Sequence, residues 1–147
     1  MTPDQLARAI ADHMLSTEGT GPHWGLEILE VRVGYAKIAM TLRSDMLNGH
    51  RTAHGGMIFS LADTAFAYAC NSRNVATVAQ NASINFLAPA HEGDSLVAEA
   101  RELSLTGRTG VYGVSVRRDD GQIIAEFQGL SRSIGGAVIP EDQPERT

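Results

Sequence analysis

Features that mark several common protein classes are scarce or missing in this chain. It has one cysteine, Cys70, so no intrachain disulfide is possible, and its apolar surroundings are typical of a small core residue. No apolar run approaches the roughly 20 residues of a membrane-spanning helix, and the first residues lack the basic and apolar regions of a signal peptide. The formal net charge is −5, whereas a general nucleic-acid binder is normally basic. These absences predict a cytoplasmic protein with neither a membrane nor a nucleic-acid partner.

The composition is that of one folded domain. Hydrophobic residues make up 43% of the 147 residues and charged residues 20%, which predicts a packed core and argues against disorder. We expect a single domain over residues 1–136. The glycine pair at 135–136 precedes a segment with proline and glutamate, and this composition predicts a flexible C-terminal tail over residues 137–147.

Hydrophobic periodicity predicts two main helices and six strands. Thr2, followed by Pro3 and Gln5, is typical of a capped helix start, and the apolar spacing extends this helix over residues 3–15. Residues 16–25 are predicted to be loop, and residues 44–53 an irregular polar segment. Alternating apolar residues predict strands at 26–33, 35–43, 75–88, 94–105, 110–118 and 122–134.

A long apolar helix is predicted over residues 54–70, and it contains a single carboxylate, Asp63. The neighbours of Asp63 at helical spacing are Phe59, Phe66 and Ala67. An unpaired carboxylate on such a face is costly, because it loses water. The same desolvation makes it more basic, which suits proton abstraction near neutral pH. Asp63 is therefore a candidate catalytic residue and not an ordinary solvated helix residue.

Gly55 and Gly56 open this helix, so their backbone N–H groups lie at its positive end. A glycine allows a ligand to approach the backbone closely, and such N–H groups can stabilise negative charge on a carbonyl oxygen. The glycines could equally serve a tight entry into the helix, and the two roles are compatible. A basic carboxylate and a carbonyl-polarising helix end are two parts of an acyl-transfer site.

The segment from residue 46 to residue 65 resembles the signature of hotdog-fold acyl-CoA thioesterases, most closely those of the PaaI type from bacterial phenylacetate degradation. In this segment Asn48 precedes His54 by six residues, and Asp63 follows it by nine. The similarity continues in the segments 81–90, 107–112 and 131–136. The resemblance implies an α+β hotdog fold, in which a curved antiparallel sheet of about five to six strands wraps a long central helix, here with an extra N-terminal helix.

The resemblance also implies roles for four residues of the site. Asp63 would be the catalytic carboxylate, acting either as general base on water or as nucleophile. The N–H of Gly55 would polarise the thioester carbonyl, and Asn48 would position the water or the carboxylate. For Asn48 an ordinary role in the Asn-Gly turn is an equally good interpretation. His54 would orient the loop or contact the substrate.

The implied partner is an acyl-CoA substrate, with no cofactor beyond the coenzyme A that the substrate carries. The closeness to PaaI-type sequences suggests an aryl-acetyl group, although the apolar residues would also suit an aliphatic chain. A homodimer or a homotetramer is implied, with Asp63 of one protomer facing Gly55 of another. The implied substrate-binding residues are Gly56, Ser83, Asn85, Arg108 and Thr109.

Several other functions remain as alternatives. A hotdog hydratase or dehydratase would carry a His-Phe-Pro motif, which this sequence lacks. A non-enzymatic acyl-CoA sensor usually carries a DNA-binding segment, and an enzyme acting on acylated carrier protein would share the whole site. No metal site is predicted. His50 and His54 are four residues apart, but the glycines around them argue against a helix that would bring them together.

Overall fold

The structure is a computed structural model that describes residues 1–140. Six antiparallel strands form one sheet in the order β1-β2-β4-β5-β6-β3, and the longest helix packs on one face of it. This helix contacts all six strands, which requires the sheet to curve around it. The helices are α1 (Pro3–Thr17), α2 (Thr20–His23) and α3 (Gly55–Cys70), and a 3₁₀ turn spans Ser44–Met46. The strands are β1 (Glu27–Arg32), β2 (Tyr35–Thr41), β3 (Thr77–Phe86), β4 (Ser95–Thr106), β5 (Thr109–Arg118) and β6 (Ile123–Ser133).

The predicted α+β hotdog architecture is confirmed, because a six-stranded antiparallel sheet wraps a long central helix. This helix is apolar on nearly every side. A helix of this kind must be surrounded by other apolar groups, and the curved sheet provides them. The side chain of Phe66 lies against β6, where a Cβ atom on Gly129 would be only 2.8 Å from its ring. The fully buried residues of the helix are Leu61, Ala62, Ala65, Tyr68 and Ala69.

Helix α1 begins as the sequence predicts. The Thr2 hydroxyl accepts the backbone N–H of Gln5 at 3.1 Å, and the Gln5 side chain accepts the N–H of Thr2 at 2.8 Å. The prediction of loop over residues 16–25 is wrong in part, because α2 forms one helical turn there. Pro22 does not prevent this turn, since N–H groups in a first turn have no helical acceptor.

Cys70 is buried at the end of α3, as the sequence predicts. The residue is 9% exposed, and its thiol donates to the carbonyl of Ala67. Burial raises the pKa of Cys70 to about 12, so the thiol stays protonated at neutral pH. A nucleophilic role is therefore unfavourable, because the thiolate is the reactive form.

The predicted C-terminal tail over residues 137–147 lies partly outside the described residues, which end at residue 140. Within the described part, the Asn74 side chain accepts the N–H groups of Val138 and Ile139 at 3.0 and 2.9 Å. Its amide nitrogen also donates to the Ile139 carbonyl at 3.0 Å. These bonds hold the chain just after β6 against the loop that follows α3. No helix in residues 1–140 combines the length and the apolar character needed to cross a bilayer.

Candidate active site

The N-terminus of α3 leaves one backbone donor open. His54 is the N-cap residue, and its Nδ1 atom accepts the N–H of Gly56 at 2.9 Å. The His54 carbonyl accepts the N–H groups of Met57 and Ile58 at 2.9 and 3.2 Å. The N–H of Gly55 donates to no acceptor within residues 1–140. Gly55, and not Gly56, therefore has the backbone donor that is available to a ligand.

The side chain of Phe86 explains why the first residue of α3 is a glycine. A Cβ atom on Gly55 would lie 3.1 Å from Cζ of Phe86, which is closer than most real contacts of this kind. Phe86 is the last residue of β3, so the end of this edge strand lies beside the start of the helix. The open N–H and the aromatic ring are consequently neighbours.

A pocket of about 420 Å³ lies at this position. Two of the predicted catalytic residues, Asn48 and Gly55, line it together with the ring of Phe86. The pocket thus combines two polar side chains, those of Asn48 and Thr52, and one open backbone donor with mostly apolar walls. Its other lining residues are Thr52, Ala53, Ile58, Leu87, Ala88, Pro89 and Ala90.

Asn48 holds the turn that precedes the helix. Its side-chain oxygen accepts the N–H groups of His50 and Thr52 at 2.9 and 3.2 Å, and its amide nitrogen donates to the Thr52 hydroxyl at 3.0 Å. An amide nitrogen carries two hydrogens, so one donor remains after this bond. The turn role that the sequence left open is therefore present, and it leaves a donor on the residue.

Asp63 is half-buried in the middle of α3, and burial raises the pKa of its carboxyl above the usual value. The carboxylate forms no ion pair within the described part of the chain, so no nearby cation offsets this effect. Asp63 does not line the pocket at Gly55. Eight residues separate the two positions, which places them about 12 Å apart along the helix axis.

Ser83 and Asn85 project from the face of the sheet that is opposite α3. Residues paired directly across antiparallel strands share a face, and these two pair with Gln128 and Glu126. The alternate residue Ile84 pairs with Phe127, a member of the core. Ser83 and Asn85, which were predicted to bind substrate, line neither the pocket at Gly55 nor the cavity that contains Arg108.

Arg108 lies at the other end of α3, where it lines a cavity of about 300 Å³ together with Cys70, Arg73 and two serines, Ser131 and Ser133. Its guanidinium is exposed and forms no ion pair with any residue from 1 to 140. By contrast, Glu102 neutralises Arg73 at 2.6 Å. Thr109, the first residue of β5, follows Arg108 but is not part of the cavity lining.

Comparison with known proteins gives the family. The sequence profile of the thioesterase superfamily matches residues 50–125, a segment that contains α3, its glycine pair and most of the sheet. The chain belongs to the thioesterase superfamily. It is therefore a thioester hydrolase. The family profile covers the whole of α3, including the open N–H at its start.

The chain is 41% identical to the acyl-coenzyme A thioesterase PaaI of Escherichia coli over 89% of this chain and 94% of that protein. The structure of the E. coli PaaI protein from the phenylacetic acid degradation operon superimposes with a TM-score of 0.91 at 40% identity, covering 92% of this chain and 99% of that one. A Streptococcus mutans protein bound to acetyl-CoA matches with a TM-score of 0.74 at 25% identity, covering 76% and 90% of the two chains.

For this thioesterase, one protomer brings only part of the predicted site together. Asn48 and Gly55 share the first pocket, with His54 as the adjacent cap, whereas Asp63 lies in the middle of α3 and Arg108 lies between β4 and β5, in the cavity that contains Cys70. Sequence reasoning missed Phe86, although its place at the end of a strand, just before Leu-Ala-Pro, was an available signal. No cluster of three or more metal-binding side chains occurs among residues 1–140.

Proposed function

We propose that the protein hydrolyses an acyl-CoA thioester to a carboxylic acid and free coenzyme A. The observation that carries the proposal is the open N–H of Gly55 in an apolar pocket, on the helix that also bears the half-buried Asp63. The acyl-coenzyme A thioesterase PaaI of E. coli, a close relative over most of both chains, supports coenzyme A as the thiol. The acetyl-CoA held by the related S. mutans protein also supports it. The expected location remains the cytoplasm.

The reaction needs a donor for the carbonyl and a base for water. The thioester oxygen accepts the N–H of Gly55, which stabilises the negative charge that develops on it. Asn48 positions the water or the carboxylate. Asp63 removes a proton from water as the water oxygen attacks the carbonyl carbon. The tetrahedral intermediate then expels the coenzyme A thiolate, which takes up the proton. In the alternative that remains open, Asp63 attacks the carbonyl directly and water hydrolyses the resulting anhydride.

Two protomers are needed to complete such a site. A base must reach a water that is itself about 3 Å from the carbonyl carbon, and Asp63 does not line the pocket at Gly55 of its own chain. We therefore place Asp63 of one protomer opposite Gly55 of its partner, in a homodimer or a dimer of dimers. The edge strand β3 is largely exposed and ends at the pocket, and unpaired edge strands are natural sites of pairing between chains.

The coenzyme A phosphates need a cation, and Arg108 is the candidate. Its exposed guanidinium has no acidic partner in residues 1–140, and hydroxyl groups of Ser131 and Ser133 line the same cavity. Thr109 remains a proposed contact beside it. Ser83, Asn85 and the backbone of Gly56 remain proposed contacts as well, although the N–H of Gly56 is already bonded to His54.

The acyl group that we propose is an aryl-acetyl group such as phenylacetyl or its ring-hydroxylated form. The E. coli structure comes from the phenylacetic acid degradation operon, which favours such a substrate. The apolar walls of the pocket at Gly55 suit a ring, since most of its lining side chains are hydrocarbon.

The test is a thioesterase assay over a panel of acyl-CoA esters with the parent and the variants Asp63→Asn and Asp63→Ala. We expect both variants to lose at least about a hundredfold in kcat, the scale of a general base. The matched control is Asp12→Asn, which removes an exposed carboxylate of α1 and should keep parental kcat. Folded Asp63 variants with near-parental turnover would overturn the mechanism, and a parent that binds acyl-CoA without cleaving it would overturn the function.

Single turnover in oxygen-18 water separates the two chemical routes. Label found in the carboxylate of Asp63 after one turnover indicates direct attack by that residue, because water then opens the anhydride. Label found only in the acid product is expected for a base, but it also results when water opens the anhydride at its acyl carbon, so label in Asp63 is the result that decides between the routes.

A further inference from the structure

Phe86 differs from the other phenylalanines of this chain. There are four in all. Phe59 and Phe66 both pack against Phe127, with ring centroids 5.4 and 5.9 Å apart, so these three belong to the interior cluster. In the single chain Phe86 is 53% exposed and lies outside that cluster. An exposed large apolar side chain is informative when it borders a pocket, as this ring does.

The backbone around Phe86 is firmly held, so the point from which the ring projects is defined. Phe86 pairs with Ala125 in the sheet, and the N–H groups of the next two residues both donate to the carbonyl of Ile124, at 2.8 and 3.3 Å. The guanidinium of Arg118 donates to the carbonyl of Pro89 at 2.9 Å. The pocket-lining residues that follow Phe86 in the chain are therefore hydrogen-bonded to both β6 and the end of β5.

The ring is adjacent to the only open donor at the start of α3 within the described residues. The 3.1 Å approach of Cζ of Phe86 to the Cβ position of Gly55 means that the ring covers the glycine. A carbonyl bound to the N–H of Gly55 would carry its acyl substituent within contact distance of that ring. An aromatic substituent gains from offset or edge-to-face packing on a second ring, beyond the gain from burying apolar area.

We infer that Phe86 determines specificity for the acyl group, by packing its exposed ring on an aryl substituent of the thioester. The inference rests on the proposed function, because it takes the N–H of Gly55 as the carbonyl donor. Phe86 lies outside the predicted catalytic set. Its ring would make the enzyme prefer an aromatic acyl group over a saturated group of similar size.

The experiment compares phenylacetyl-CoA with cyclohexylacetyl-CoA, which has the same carbon skeleton without the aromatic face. In the variant Phe86→Leu, an apolar side chain still covers Gly55 but has no ring. We expect the ratio of kcat/KM for the aryl ester to that for the saturated ester to fall by about three- to tenfold. The control Leu29→Ala removes an exposed apolar side chain from β1, at the far edge of the sheet, and should leave both values unchanged.

A merely structural role of Phe86 predicts a different outcome. In that case Phe86→Leu lowers kcat/KM for both esters by the same factor, the ratio stays at its parental value, and the inference is overturned. A parent that shows no preference for the aryl ester overturns it as well.

A binding measurement tests the role of Phe86 independently of the proposed hydrolysis. Non-cleavable ketone analogues of the two esters, with a methylene group between sulfur and carbonyl, can be titrated into the parent and into Phe86→Leu by calorimetry. A selective loss of affinity for the aryl analogue supports the role of Phe86 even if no ester is hydrolysed. Equal affinities of the parent for the two analogues would overturn the role of Phe86 in specificity, even if hydrolysis is fast.

Discussion

At the scale of single residues, Asp63 combines a chemical task with a cost in stability. Its half-buried carboxyl has a raised pKa because burial penalises the charged form, and no cation of the described chain offsets that penalty. Near neutral pH the proposed mechanism requires the charged form, which disfavours the folded state. Such conflicts are concentrated at functional sites.

Replacing this carboxylate should therefore stabilise the protein at neutral pH. A carboxyl whose pKa is higher in the folded state than in the unfolded chain binds more proton when folded, so the free energy of unfolding falls as pH rises through that interval. Asp63→Asn cannot ionise and does not suffer this loss. We expect its free energy of unfolding to exceed that of the parent at pH 7, measured by urea denaturation.

The advantage of Asp63→Asn should vanish when the pH is lowered below the ordinary pKa of an aspartate, because both chains then carry a neutral group. The exposed-site variant Asp12→Asn should lack this pH-dependent gain. A parent that is more stable than Asp63→Asn at pH 7, with the difference lost in acid, would mean that the charged carboxylate has a favourable partner.

At the scale of elements, the packing of α3 against β6 depends on a glycine. A Cβ atom on Gly129 would lie 2.8 Å from the ring of Phe66, a buried residue that cannot move into solvent. We expect Gly129→Ala to lower the free energy of unfolding by about 1–3 kcal/mol, the usual range for overpacking. Chemical denaturation measures this change.

The partner substitution identifies the cause. Combining Gly129→Ala with Phe66→Leu should lose less stability than the sum of the two single variants, since the smaller side chain makes room for the methyl group. Gly19→Ala is the control, because nothing lies within 4 Å of its Cβ position and its φ is −80°. Strict additivity of the two effects would show that the ring is not what requires the glycine.

At the scale of the whole molecule, the proposed composite site predicts complementation between inactive chains. Gly55→Pro removes the carbonyl donor, and proline suits the first position of a helix after an extended residue such as His54, whose ψ is 132°. Its Cβ would lie 3.1 Å from Cζ of Phe86, so this exposed ring must shift by a few tenths of an ångström to accept it. Refolded as an equal mixture with Asp63→Asn, it should recover about a quarter of parental activity. Half of the dimers are then mixed, and each mixed dimer has one intact site of two.

The double variant Asp63→Asn/Gly55→Pro provides the control for this arrangement. Mixed equally with the parent, it should leave about a quarter of parental activity if each site spans two protomers, but about half if each site lies within one chain. No recovery in the first mixture, together with half activity in the second, would refute the composite site.

The sequence determined the elements of this protein because each follows from local spacing and chemistry. The capped start of α1, the apolar α3 and the alternation of the strands are periodic patterns, and an apolar helix with strands on both sides requires a sheet around it. The half-buried state of Asp63 also followed from its apolar neighbours. The turn α2 was missed, because its glycine and proline are typical of loops.

Only the tertiary structure decided which groups meet. The placement of Phe86 over Gly55 joins the end of β3 to the start of α3, and no local pattern encodes that contact. The same holds for the position of Ser83 and Asn85 on the far face of the sheet, which depends on their register with β6. Register and curvature follow from the packing of the whole sheet around one helix, so they are properties of the complete fold.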